Sequence, residues 1–186
     1  SATTVTQENR ATYNFDVPGF GVFDQYASGE AVCFSRNGKV VGFAHRYAPY
    51  FTVYDISNVY DLSSDSLVKR EFSVAPTANQ YGRSIAMDED GSHLFLSSDT
   101  EPFLRGYEYV GGTYVPFTVP DFNEGAGKIA VSLDGSVIAI GALSGNTVKV
   151  FSKVDGAWIA RPDIVYNESS TQLQSLDMSD DGTVIV

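Results

Sequence analysis

Residues 126–164 read AGKIAVSLDGSVIAIGALSGNTVKVFSKVDGAWIARPDI. Ile129 and Val131 alternate with other residues, and Asp134-Gly135 breaks the run. Val137 to Ile140 follow, then Ser144-Gly145-Asn146, Val148-Lys149-Val150-Phe151, Asp155-Gly156 and Trp158-Ile159. Short runs of Val, Ile and aromatics bounded by Asp-Gly and Ser-Gly are hairpins in series. The stretch predicts a four-stranded antiparallel meander.

The same unit recurs along the chain. Its turn glycine falls at Gly38 (SRNG), Gly91 (DEDG), Gly135 (SLDG) and Gly182 (SDDG), at spacings of 53, 44 and 47 residues. Just before each turn stand two apolar columns: Val32, Ile85, Ile129, Leu176 and Phe34, Met87, Val131, Met178. Strand side chains alternate, so the two columns share a face. The residue between them is Cys33, Ala86, Ala130 or Asp177, small enough for crowded innermost strands. A period of this length belongs to a propeller blade or another four-stranded unit, and the small residues of the crowded innermost strand favour a β-propeller. All-β is the expected class.

The expected units are blades at about 29–76, 82–120 and 126–166, with half blades at 1–17 and 173–186. The fourth strands are placed at Leu67 to Val74, Thr113 to Val119 and Ala157 to Ile164. The two half units complement one another, which would suit a closed four-bladed ring with Thr3-Thr4-Val5 against Val184-Ile185-Val186. Because Val186 stands within an apolar run, the expectation here is instead an arc of a larger ring.

Composition narrows the function classes. Lys and Arg number 12 against 23 Asp and Glu, a net charge of −11. An acidic chain repels phosphate backbones, which argues against nucleic acid as partner. The single cysteine, Cys33, has no intrachain disulfide partner and is read as a small apolar strand residue. No apolar run is long enough to span a bilayer.

Three pieces carry a family resemblance. Tyr81-Gly82-Arg83-Ser84-Ile85-Ala86-Met87-Asp88, Val137-Ile138-Ala139-Ile140-Gly141-Ala142 and Val150-Phe151…Gly156-Ala157-Trp158 are similar to the FG-GAP (integrin-α-like) propeller repeat. Phe43-Ala44 and Ser97-Ser98 depart from that pattern where Gly141-Ala142 fits it. The resemblance implies an extracellular or surface address and a role in adhesion or scaffolding, with no common chemistry.

Candidate chemistry is sparse. Asp88-Glu89-Asp90-Gly91 resembles an acidic calcium loop, which makes Asp88 and Asp90 weak calcium candidates. A calcium site needs six or more oxygens from a longer loop, so these acids are read as turn formers and no metal or cofactor is expected. The histidines, His45 and His93, have no Ser or Cys partner by motif and are read as surface or half-buried. His45, Arg46, Tyr47 and Tyr50 lie in the loop between strands two and three, and Phe103 lies in the equivalent loop of the next unit. Aromatic and Arg side chains on one propeller face are the candidate binding surface; the competing reading has Tyr50 and Phe103 staple their loops onto neighbouring blades. Asn167-Glu168-Ser169 is a glycosylation sequon in an inter-blade link.

The expected function is a non-enzymatic extracellular or cell-surface interaction scaffold, a glycoprotein whose partners are other proteins, with glycans a second class. Two alternatives stand beside it: a propeller hydrolase or lyase with its catalytic residues in other blades, and an intracellular protein-interaction propeller.

Overall fold

A computed structural model describes residues 31–45, 50–57, 67–74, 81–166 and 173–186. The chain forms β1 (Ala31–Phe34), β2 (Val40–Ala44), β3 (Phe51–Ile56) and β4 (Leu67–Lys69), an antiparallel sheet in sequence order. β5 (Glu71–Phe72) leaves that sheet. The second sheet is β6 (Tyr81–Met87), β7 (His93–Ser98), β8 (Leu104–Val110) and β9 (Thr113–Phe117), with β5 added parallel to β9. The third is β10 (Ala126–Val131), β11 (Val137–Ala142), β12 (Thr147–Val154) and β13 (Ala157–Ala160), with β14 (Ile164–Val165) also on β12. Residues 173–186 add a hairpin, held by a Met178–Ile185 bridge and by reciprocal Asp177–Val186 backbone bonds of 2.8 and 3.0 Å.

The four turn glycines are equivalent. Gly38, Gly91, Gly135 and Gly182 have φ of 71°, 72°, 71° and 69°, a region that costs glycine nothing. Each turn is closed from both sides. The hydroxyls of Ser35, Ser132 and Ser179 accept the N–H of Val40, Val137 and Val184 at 2.9 Å. The side-chain oxygens of Asn37, Asp90, Asp134 and Asp181 accept the N–H two residues on, at 2.9 to 3.0 Å. These side chains satisfy backbone donors that the tight turn leaves over.

The two apolar columns face the preceding sheet. Ile85 and Met87 pack with Val40, Ala44 and Val53 of the first sheet. Ile129 and Val131 pack with Ala86 and Phe95 of the second. Leu176 and Met178 pack with Ala130 and Ala139 of the third. The small residue between the columns faces the following sheet, where the next unit's large side chains enter. Gly42 shows how close the approach is: a Cβ there would lie 2.5 Å from both Ile85 Cδ1 and Met87 Cε. Sheets therefore stack face to face in sequence order. In the first unit Val32 and Phe34 are 58% and 48% exposed, because no preceding sheet stands among the described residues.

Two expected strands need correction. Leu67 to Val74 is not one strand: Leu67–Lys69 pairs with β3, while Glu71–Phe72 pairs with β9 of the next sheet. The break falls at Arg70, whose guanidinium reaches into the junction of the two sheets. Phe72 then packs edge-on against Tyr107 (5.0 Å) and stacked on Tyr114 (5.1 Å). Likewise Ala157 to Ile164 divides around Arg161-Pro162-Asp163, since Pro162 has no N–H for the ladder. Both pieces pair with β12, at different ends of it. Thr3-Thr4-Val5, whose pairing with Val184-Ile185-Val186 would mark a closed ring instead of the expected arc, the half blade 1–17, Arg46, Tyr47 and Asn167 all lie outside the described residues.

Candidate functional site

Three places gather polar side chains: the ring of turns, the space enclosed by the innermost strands, and the opposite end, where the loops between second and third strands lie.

The turns join one another. Asn37 N–H donates to Glu89 O (3.0 Å), Glu89 N–H to Leu133 O (2.8 Å) and Leu133 N–H to Asp180 O (2.8 Å). Arg36 of the first turn donates to Met178 O (3.2 Å) and pairs with Asp180 (3.0 Å) in the terminal hairpin.

In the second turn Asp88 stands where the others have serine. Its buried carboxylate accepts the His93 N–H (3.0 Å) and the Ser92 hydroxyl (2.7 Å), and lies 2.7 Å from His93 Nδ1. His93 is half-buried as expected, but its partner Asp88 was not foreseen. The sequence signal is an Asp in the serine column with His five residues on. Ser92, His93 and Asp88 do not form a nucleophilic relay. Serine and carboxylate both sit on the Nδ1 side of the ring, whereas a relay needs the nucleophile at the other nitrogen.

This pair makes stability depend on pH. Burial raises the Asp88 pKa, but hydrogen bonds from the His93 ring, the His93 N–H and Ser92 outweigh it and hold the group below its ordinary 3.8. The hydrogen bond to Asp88 lifts His93 above 6.5, against the opposing effect of burial. A raised histidine stabilises fully below pH 6.5 and ceases to do so as pH rises through its folded value. A lowered aspartate stabilises above pH 3.8 and ceases to do so as pH falls through its folded value. The pair therefore contributes most between those limits. Replacing His93 by glutamine should cost about 1–2 kcal/mol at pH 6 and much less at pH 9, read from urea denaturation across pH. A pH-independent loss would show that the contact acts through packing alone.

Asp90, Asp134 and Asp181 are occupied by their turns. Burial raises Asp134, but hydrogen bonds from Ser132 and Ser136 bring its carboxyl net below 3.8. The Ser179 and Thr183 hydrogen bonds bring Asp181 down to about 2. Asp90 accepts the Ser92 N–H. Among the described residues no three His, Cys, Asp or Glu side chains gather as a metal set.

The innermost strands β1, β6 and β10 and residues 174–177 surround a cavity of about 500 Å³. Cys33 is half-buried in its wall, and burial pushes its thiol up to about 11, so it stays a neutral thiol. At the end away from the turns, Arg83 pairs with Asp99 at 2.8 Å. Lys128 and Gln174 line both this cavity and a smaller one of about 200 Å³.

The loops at that end are held by backbone bonds: His45 N–H to Tyr50 O (2.6 Å) and Ser98 N–H to Phe103 O (2.9 Å). His45 is 2% exposed, with Nε2 3.0 Å from Thr52 Oγ1, and its ring stacks on Phe43. It is a buried residue, not the surface or half-buried one expected, because its ring packs beside Phe43 and bonds to Thr52 on its own sheet. Tyr50 is 9% exposed and takes φ of 63° to close the loop. Phe103 is half-buried against the cluster between the second and third sheets. Tyr50 packs in the cluster between the first and second sheets. The surface beside Phe103 is different: Glu101, Pro102, Asp121 and Asn123 are exposed around Phe103 and the buried Phe122, in a cleft of about 500 Å³.

No family model matches the chain, and no curated protein matches it by sequence. Solved structures do match. Hydrazine synthase from Kuenenia stuttgartiensis superposes with a TM-score of 0.59 at 13% identity, over 91% of this chain and 44% of that one. A candidate 6-phosphogluconolactonase from Bacteroides fragilis gives 0.58 at 18% identity, over 83% and 46%. A Desulfotomaculum acetoxidans protein of unknown function gives 0.55 at 19% identity, over 78% and 44%. The chain has a β-propeller fold. It spans less than half the length of each of these three chains, and at such identities the likeness concerns the fold alone. This propeller's blades are the stacked sheets described above.

Proposed function

We propose that the chain is a non-enzymatic interaction module, a propeller that binds other proteins through the face bearing the loops between second and third strands. The observation that carries this reading is the cleft at Glu101, Pro102, Phe103, Asp121, Phe122 and Asn123. Exposed carboxylates around an aromatic floor suit a partner that offers basic and apolar side chains. The commitments of the interior polar groups support it. Ser35, Ser132 and Asp88 close turns, and Ser84 and Ser97 bridge sheets through Ile129 N–H and Gly127 O. Ser35, Ser132 and Asp88 are thereby committed to turn geometry. The resemblance to FG-GAP repeats and the sequon at Asn167 favour an extracellular or cell-surface address within this reading.

Affinity capture from the surface fraction of the source organism, quantified by mass spectrometry, tests it. A partner should be recovered with the wild-type chain and reduced at least about tenfold by the double charge reversal E101K/D121K. Equal recovery with both chains, or turnover of hydrolase or lyase reporter substrates by the purified protein, would defeat the reading.

A further inference from the structure

We propose that the cavity mouth between Arg83 and Lys128 binds a small hydroxylated organic anion, with its carboxylate or phosphate between the two cations and its polar body in the cavity. The two residues come from adjacent innermost strands, β6 and β10, and both line the smaller space of about 200 Å³ that opens at this end. Lys128 also lines the larger cavity of about 500 Å³, so a headgroup held by it has room behind. A volume of that size is usual for small-molecule sites.

The donors suit an oxyanion. Arg83 donates from one terminal nitrogen to Asp99 at 2.8 Å. That bond orients the guanidinium and leaves its other N–H groups for a ligand. Lys128 has no ion pair among the described residues, whereas Lys149 on the neighbouring β12 sits between Glu124 (3.7 Å) and Asp163 (3.6 Å). Arg83, Lys128 and Asp99 together leave one net positive charge at the mouth of a chain whose net charge is −11. Low-dielectric walls strengthen such a local charge. Just inside, buried Ser84 accepts the Ile129 N–H at 3.3 Å, which leaves its own proton to donate. Ser175 and Gln174 continue the polar lining. Farther in, Asp177 accepts the Met178 N–H at 2.8 Å, and Arg36 is engaged with Asp180. The negative Asp177 lies on the turn side of Lys128, so the anionic group belongs at the outer mouth and the neutral body inside.

Isothermal titration of the 186-residue chain decides it, at ionic strength held constant with sodium chloride. The probes are malate for a carboxylate, glycerol 1-phosphate for a phosphate, and glycerol as neutral control. Saturable binding of at least one anion and none of glycerol is expected; whichever anion saturates names the headgroup. Lys128→Met should weaken that binding at least about tenfold, since it keeps the stem and removes the charge-assisted bond. Lys39→Met, on the first turn, should leave it unchanged. If Lys128→Met does not fold by circular dichroism, Lys128→Gln takes its place. Absence of saturable binding for both anions overturns the proposal, as does binding that Lys128→Met or Lys128→Gln leaves intact.

Discussion

Replacing Phe95 with alanine should cost the fold about 4 kcal/mol, the middle of the range for emptying a large aromatic site in a core. Phe95 is fully buried on β7, on the face of the second blade turned toward the third. Its ring meets Phe117 edge-on at 5.6 Å and Trp158 edge-on at 6.0 Å. Trp158 is fixed in turn by its Nε1–H bond to Thr118 O at 3.1 Å, across the junction of the blades. The ring thus lies where two sheets meet, and neither sheet can close the gap without giving up ladder register. A lower urea midpoint with unchanged slope is the expected signature. A loss under about 1 kcal/mol would mean that the blades re-pack freely. A reduced slope would mean that the second and third blades no longer unfold together.

Replacing Arg70 with alanine should cost about 3 kcal/mol. Its guanidinium holds Asp55 through Nε (3.0 Å) and a terminal nitrogen (2.7 Å), and its other terminal nitrogen reaches Gly91 O (2.9 Å) and Tyr114 Oη (3.2 Å). It also lies 3.9 Å over the Tyr109 ring. Tyr114, whose hydroxyl burial pushes up to about 12, stays protonated and donates to the same Gly91 O at 2.6 Å. The carboxylate of Asp55 is partly exposed and regains water when Arg70 is removed, so the loss stays below that of a fully buried pair. Arg70→Lys should recover little of it, because an ammonium can neither fork onto Asp55 nor stack flat on Tyr109. Equal stability of Arg70→Lys and wild type would reduce Arg70 to a point charge. Chemical denaturation of both variants makes the comparison.

Local physics carried much of this protein into plain view. The Asp-Gly and Asn-Gly turns specify left-handed glycines, and the structure places all four at nearly the same φ. Alternation decides which side chains share a face, and the repeat period shows that the units are alike. From these alone come the four-stranded meander, its register and the face that each column presents. Where two units meet is another matter, because no local preference records it. Arg70 and Phe72 read as one continuing strand after Leu67–Lys69, yet the chain crosses into the next blade there, because Tyr109 and Tyr114 of that blade receive the two side chains while Asp55 of their own blade holds the guanidinium at the junction. Asp88 reads as one more turn residue until His93, five positions on, folds back over it. His45 reads as a loop residue until its ring packs beside Phe43 and Thr52. Arg83 and Lys128 stand 45 positions apart in sequence and become neighbours because consecutive innermost strands line one cavity. Turn chemistry and alternation act over a few residues and are legible in any one unit. Contacts between blades join residues about one repeat apart, and only the stacking of the sheets decides which side chains meet.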